Sequence, residues 1–110
     1  MIELRGYIDE DGHRPFATWL HALDPSAAAK VTIALARRGQ GNFAKVKGVG
    51  AGVYEVKIDF GPGNRIYFGK DGERLVILLG GGTKKRQNSD IQIAQACWAD
   101  YKRRKKQEMA

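Results

Sequence analysis

The segment VYEVKIDFGPGNRIYF, Val53 to Phe68, decides the fold of this chain. Polar and apolar residues alternate on both sides of a Gly-Pro-Gly-Asn turn signal, and this pattern predicts two antiparallel strands joined as a hairpin. One face of the hairpin is predicted to be apolar, with Tyr54, Val56, Ile58, Phe60, Ile66 and Phe68. The other face carries Val53, Glu55, Lys57, Asp59, Arg65 and Tyr67. We therefore expect a hairpin with one core face and one charged face.

The residues before the hairpin predict one strand and two helices. The segment IELRGYI, residues 2–8, is typical of a short strand that ends at an Asp-Gly turn signal. Pro15 suits the first turn of a helix, and Asp24-Pro25 suits the start of a second helix that Asp24 caps. Gly39 is expected to end this second helix in the left-handed conformation.

The segment LVILLGGGTKKRQNSD, Leu75 to Asp90, predicts a strand followed by a helix. Its apolar run lacks alternation, which indicates a central strand covered on both faces. Ser89 and Gln92 have the spacing of a capping box at the start of the last helix, and the basic end of the chain is expected to be a frayed, solvated helix end. The predicted order is β-α-α-β-β-β-α, a small α+β domain of residues 1–110 with a mostly antiparallel sheet.

Composition narrows the function classes. Nineteen Lys and Arg residues against 12 Asp and Glu residues give a net charge of +7, so polyanions are the expected partners. The lone Cys97 excludes an intrachain disulfide framework and a multi-cysteine zinc site, which fits a reducing compartment. The charged N-terminus lacks the apolar core of a signal peptide, and no apolar run is long enough to span a membrane. We expect a soluble, cytoplasmic protein.

The glycines and lysines after the apolar run raise the question of a nucleotide cradle. A P-loop needs a lysine directly after the last glycine, followed by Ser or Thr, whereas Thr83 precedes Lys84 here. We therefore interpret Gly80, Gly81 and Gly82 as a bulge or bend where the chain leaves the sheet.

The predicted pairing brings cations of three segments together. Lys84, Lys85 and Arg86 would lean over the hairpin face that carries Lys57 and Arg65. Tyr67 would provide a ring for base stacking within this patch, and Glu55 would orient Arg65. Phosphate contacts beside an aromatic ring are typical of proteins that hold single-stranded nucleic acid. We expect this face to be polar surface, so that loss of Arg65 costs little stability.

Nearly the whole chain resembles a known toxin family. The segments GVYEVKIDFGPGNRIYF and LLGGGTKKRQNSDIQIAQACWADYKRR resemble the addiction-module killer proteins, the HigB-like branch of the RelE/ParE toxin superfamily. The resemblance implies the RelE-type fold and a cognate antitoxin, usually a small helix-turn-helix protein. Arg65, Lys84 and Gln87 match the family pattern most directly, and Lys57 stands where the family has an arginine.

The resemblance and the cation pattern together imply an endoribonuclease that cuts mRNA on the ribosome. The expected catalytic residues are Lys57, Arg65, Lys84 and Lys85, and the expected substrate-binding residues are Glu55, Tyr67, Arg86 and Gln87. The 2′-hydroxyl of the RNA would attack the neighbouring phosphate, so neither a metal nor another cofactor is expected. Without a histidine in the patch, a lysine has to act as the base, while arginine serves as an electrostatic clamp.

Two other functions stay open. ParE-type members of the superfamily inhibit DNA gyrase by binding rather than by catalysis. The net charge alone also fits a noncatalytic RNA-binding module with salt-sensitive affinity.

Overall fold

The computed structural model describes residues 2–43, 45–58 and 63–109, and it contains one five-stranded sheet and three helices. The elements in chain order are β1 (Glu3–Gly6), α1 (Pro15–His21), α2 (Pro25–Gly39), β2 (Val46–Gly50), β3 (Val53–Lys57), β4 (Arg65–Asp71), β5 (Leu75–Gly82) and α3 (Gln87–Met109), with a 3₁₀ turn, Lys84–Arg86, directly before α3. Within these ranges, no helix is long and apolar enough to cross a membrane.

The strand order in the sheet is β1-β5-β4-β3-β2. β1 pairs with β5 in parallel, and the other described pairings are antiparallel. The α+β class, the hairpin of β3 and β4 and the internal position of β5 are therefore confirmed. The expected positions of Asp59 and Phe60 and the first part of the Gly-Pro-Gly-Asn turn lie outside the described residues.

The predicted order of elements is wrong at one point, because β2 adds a strand before the hairpin. β2 has the sequence VKGVG, and its glycines leave too few side chains for a visible alternation. It pairs with β3 through a tight connection in which Gly50, Ala51 and Gly52 all have positive φ. Pairing with β3 therefore defines this strand more than its own sequence pattern does.

Helices cover both faces of the sheet. The first core, beneath α1 and α2, includes Phe16, Val31, Val56, Ile66 and Phe68. The second core, beneath α3, includes Tyr7, Val53, Tyr67, Leu79, Ala94 and Trp98. The expectation of a charged, solvent-facing side of the hairpin is therefore wrong, since α3 packs on that side and the side chains of Glu55, Arg65 and Tyr67 are buried.

The start of α2 agrees with its sequence signal, but its end does not. The carboxylate of Asp24 accepts a hydrogen bond from the backbone N–H of Ala27 at 2.8 Å, as expected of an N-cap. Gly39 is still helical, and Gln40 is the C-cap. The left-handed residue is Gly41, with φ of 90°, so the helix continues two residues further before the turn.

The start of α3 differs from the predicted capping box. The helix begins at Gln87, so Ser89 lies inside its first turn and its hydroxyl donates to the carbonyl oxygen of Arg86 at 3.1 Å. The 3₁₀ turn leads directly into the helix and takes the place of a side-chain cap.

The basic end of α3 is attached to the body of the protein and is not frayed. Arg103 pairs with Glu10 and Asp100, and Arg104 pairs with Asp100. Lys105 pairs with Asp71 at the end of β4. These contacts keep the helix regular as far as Met109.

The glycines of β5 continue the strand beyond the predicted bend. The register shifts between Tyr67 and Phe68 of β4, which lie opposite Gly80 and Leu78, so the irregularity is at Leu79, and the three glycines after it remain paired with β4. Gly81 lies against the ring of Trp19, and Gly82 lies against the carboxylate of Asp90. A side chain at either glycine would collide with its neighbour.

We expect Gly69→Ala to destabilise the protein by about 1–3 kcal/mol, because it overpacks the second core. A Cβ at position 69 would lie 2.5 Å from Cε3 and 2.6 Å from Cδ2 of Trp98, whose ring is buried. Gly80→Ala is the matched control, since a Cβ there has no neighbour within 4 Å among the described residues. Urea unfolding of the two variants measures the difference, and equal midpoints would contradict the close packing of Trp98 on the sheet.

Candidate functional site

Lys57 and Arg65 lie side by side at one end of the sheet. They are partners in the register of β3 and β4. A Cβ built on Gly63 would lie 3.5 Å from Nη1 of Arg65 and 4.0 Å from Cε of Lys57. The structure therefore brings these two predicted residues together.

The basic turn Lys84–Arg86 lies at the same end of the sheet. Gly82, the last residue of β5, is opposite Arg65, and the 3₁₀ turn follows after Thr83. Lys84, Lys85 and Arg86 are exposed, and with residues 87–89 they line a cavity of about 380 Å³. Cations of β3, β4 and this turn thus lie at one end of the sheet, and we call them the cation cluster (Lys57, Arg65, Lys84, Lys85 and Arg86).

Glu55 joins the cation cluster to the rest of the fold. Its side chain is 3% exposed, and Oε1 lies 3.7 Å from Nε of Arg65 and 3.6 Å from Nζ of Lys47. Nε2 of Gln87 donates a hydrogen bond of 2.8 Å to Oε2. One buried carboxylate therefore connects β2, β4 and the first residue of α3.

Arg65 is more buried than its sequence position suggested. The residue is 7% exposed, and Nη1 donates a 2.7 Å hydrogen bond to the carbonyl oxygen of Gly63. The expectation that Arg65 occupies an exposed strand face is wrong. The small stability cost expected for its loss was based on that exposure and no longer follows from it. Its removal would leave the carboxylate of Glu55 buried without its main cation.

Tyr67 is completely buried, so its ring offers no face to a nucleobase in this conformation. The expectation of an exposed ring for base stacking is therefore corrected. The phenol hydroxyl has no hydrogen-bond partner among the described residues. Burial, together with the nearby charge of Glu55, raises the pKa of Tyr67 above its usual value.

Further cations extend the positive region toward α2. A cavity of about 270 Å³ is lined by Lys30, Arg37, Arg38, Lys45 and Lys57, together with Ile33, Ala34 and Ile58. Arg38 is buried within it, and burial, followed by the charge of Arg37, lowers the pKa of its guanidinium. The sequence patterns did not predict this cavity, because α2 and β3 are adjacent only in the folded chain.

Two further side chains of the site were missed. Lys47 lies opposite Glu55 on β2, and this strand was not predicted because its glycines hide the alternation of side chains. Asp90 follows the basic turn, and its carboxylate lies against Gly82. Burial raises the pKa of Asp90, while the charge of Arg86 opposes that shift. The sequence did contain a signal for Asp90, because an acidic residue in the first turn of a helix interacts favourably with the helix dipole.

The arrangement can hold a polyanion through its exposed cations, while the charge of Arg65 lies behind them. Neither histidine belongs to it, because His13 lies on the loop after β1 and His21 ends α1.

The described residues contain one group suited to a metal, Asp9, Asp11 and His13. This group lies on that same loop, where Asp9 accepts hydrogen bonds from the backbone N–H groups of Asp11 and His13.

Comparison with known proteins identifies a relative in Haemophilus influenzae. No family model matches the chain. An uncharacterized protein of H. influenzae is 41% identical to it over 81 residues, which are 73% of this chain and 82% of the relative. The chain belongs to the same family as this protein.

We expect Glu55→Gln to destabilise the protein by about 3–5 kcal/mol, because it removes the buried carboxylate that pairs with the guanidinium of Arg65 among the described residues. Lys47→Gln removes the exposed partner of the same carboxylate, and we expect a cost below about 1 kcal/mol. Urea unfolding at neutral pH measures both free energies. Equal costs would show that the charge of Glu55 is not held by its buried partner.

The raised pKa of Tyr67 predicts that the protein loses stability in alkaline solution. Its pKa in the folded protein lies above the usual value of 10.0, so the folded state keeps a proton that the unfolded state releases. This contribution is fully present below about pH 10 and is lost as the pH rises toward the folded pKa. Tyr67→Phe should therefore lose less stability than the wild type as the pH rises from about 10 to about 12. Parallel curves for the two proteins in urea unfolding would contradict the raised pKa.

Proposed function

We propose that the protein is a metal-independent endoribonuclease that cuts mRNA, the toxin of a HigB-like toxin–antitoxin pair. The observation that supports this function is that Lys57, Arg65 and the Lys84–Arg86 turn lie at the same end of the sheet. A net charge of +7 attracts RNA to this region from a distance.

Cleavage by the RNA's own 2′-hydroxyl requires three contributions. A base takes the hydroxyl proton, an acid donates a proton to the departing 5′-oxygen, and positive charge stabilises the phosphate as it gains negative charge. The exposed ammonium groups of Lys57, Lys84 and Lys85 are the groups available for proton transfer and for phosphate contact. The reaction then needs neither a metal nor a covalent intermediate with the protein.

Buried Arg65 has a different role from that of a direct phosphate clamp. Its guanidinium is fixed between the carboxylate of Glu55 and the carbonyl oxygen of Gly63. A fixed positive charge behind the exposed lysines adds to the electrostatic stabilisation of the phosphate without touching it. Gln87, bonded to Glu55, holds the start of α3 and so positions the preceding basic turn.

A site of this kind is a weak general acid and base, so its cleavage rate increases when a partner aligns the RNA. We propose that the translating ribosome supplies this alignment and that purified protein is poorly active on naked RNA. A small antitoxin that covers the cation cluster would keep the protein inactive.

The burial of Arg65 and Tyr67 also favours a second candidate function, a nucleic-acid-binding protein without catalysis. In the folded chain the cation cluster presents mainly lysines and Arg86, and point charges of this kind suffice for binding. This candidate predicts salt-sensitive binding without cleavage.

We expect the Lys57→Ala/Lys84→Ala protein to lose at least about tenfold in mRNA cutting, because it removes exposed positive charge where the phosphate lies. The measurement is the mapping of transcript 5′ ends after induction, which should show new cuts inside reading frames that depend on translation. Arg14→Ala is the control for general charge, since Arg14 is an exposed residue directly before α1. It should cut as the wild type does.

Two outcomes would contradict the proposal. Intact transcripts during growth arrest would exclude cleavage, and inhibition of purified gyrase would then indicate the ParE-type alternative. Cutting by the double variant at the wild-type level would remove the cation cluster from the mechanism.

A further inference from the structure

A third cavity lies at the other end of β4 and α3, away from the cation cluster. Its volume is about 490 Å³, and it is lined by Lys70, Asp71, Trp98, Tyr101, Lys102, Lys105 and Lys106. We call it the α3 cavity. This volume lies within the range of about 300–1,000 Å³ that is usual for sites of small molecules.

Two aromatic rings that stack on each other line the α3 cavity. The ring centroids of Trp98 and Tyr101 are 5.2 Å apart, and their planes differ by 7°. Trp98 is 5% exposed and lies directly on Gly69, where a Cβ would collide with its ring. The hydroxyl of Tyr101 donates a 2.6 Å hydrogen bond to Asp71. Both rings are therefore held in place before any ligand arrives.

The rim of the α3 cavity is positive. Nζ of Lys102 lies 5.7 Å from the centroid of the Trp98 ring, and Lys106 follows one helical turn later. Asp71 is the acidic residue among the described lining residues, and Lys105 is paired with it. The ammonium group of Lys70 lies over the rings of Phe43 and Tyr54 and adds nothing to this rim.

We propose that the α3 cavity binds a nucleotide unit, with the base against the partly exposed ring of Tyr101, which stacks on buried Trp98, and the phosphate at Lys102 and Lys106. Base stacking on aromatic rings beside cations is the general way in which proteins hold unpaired nucleotides. The nucleotide is either a free mononucleotide or one unit of a single strand. This binding does not depend on RNA cleavage, because Lys102 lies about 22 Å along α3 from Gln87, at about 1.5 Å per residue.

An acidic peptide is the competing ligand class, since lysines attract carboxylates as well. The parallel ring planes favour a planar aromatic partner over an extended peptide. An oligoglutamate of the same charge as the RNA therefore provides the comparison.

The two tryptophans supply a site-specific readout. ¹⁵N-labelled protein has one indole N–H signal from Trp98 and one from Trp19, which packs in the first core on the other side of the sheet. Adenosine monophosphate and a single-stranded RNA of about ten nucleotides are titrated separately. We expect the Trp98 signal to move and the Trp19 signal to stay. A shift with the mononucleotide indicates a free-nucleotide site, and a shift with RNA alone indicates a site for a strand.

Variants separate stacking from general charge. Tyr101→Ala should weaken binding at least about tenfold, whereas Tyr101→Phe keeps the ring and should bind as the wild type does. Lys102→Ala should weaken binding severalfold, and Arg14→Ala, which removes one charge near α1, should not. Lys102 is exposed, so this variant retains the fold even if Tyr101→Ala does not.

The proposal is overturned if neither nucleotide moves the Trp98 signal, or if oligoglutamate moves it with equal affinity. It is also overturned if Arg14→Ala weakens binding as much as Lys102→Ala does.

Discussion

The buried carboxylate of Glu55 is the constraint on which the arrangement of the site depends. A charge with 3% exposure is tolerated only while its partners stay in place, and these partners belong to β2, β4 and α3. The pairings of Lys47 and Arg65 with Glu55 follow the strand register, and Gln87 fixes the first turn of α3. The exposed lysines before Gln87 are thereby held at the end of the sheet that carries Lys57.

Much of the fold follows from local sequence patterns, and the exceptions have physical causes. The alternation around Tyr54 and Ile66 was sufficient for the hairpin, and Asp24 was sufficient for the start of α2. The strand Val46–Gly50 was missed because two glycines remove the side chains on which periodicity is read. The predicted start of α3 was too late. A 3₁₀ turn and the hydrogen bond between Gln87 and Glu55 take the place of a side-chain cap. This hydrogen bond joins distant parts of the sequence, so a local pattern does not reveal it.

The cations of the site were largely predictable from the sequence, apart from Lys47, but the burial of its residues was not. Register alone places Lys57 beside Arg65, since antiparallel partners share a face of the sheet. The same alternation does not reveal what covers that face, so Arg65 and Tyr67 were expected to be exposed although α3 packs over them. The structure thus separates a buried set of charges that fixes the geometry from an exposed set of lysines that can meet a substrate.

The proposed cleavage by the 2′-hydroxyl of the RNA is tested most directly by the chemical groups at the cut ends. A reporter mRNA is translated by purified ribosomes in the presence of the protein, and the downstream fragments are analysed for their 5′ groups. Attack by the 2′-hydroxyl breaks the bond to the 5′-oxygen, so the account predicts downstream fragments with 5′-hydroxyl ends and upstream fragments with 2′,3′-cyclic phosphates. Downstream fragments with 5′-phosphates, or an uncut mRNA while translation stops, would contradict it.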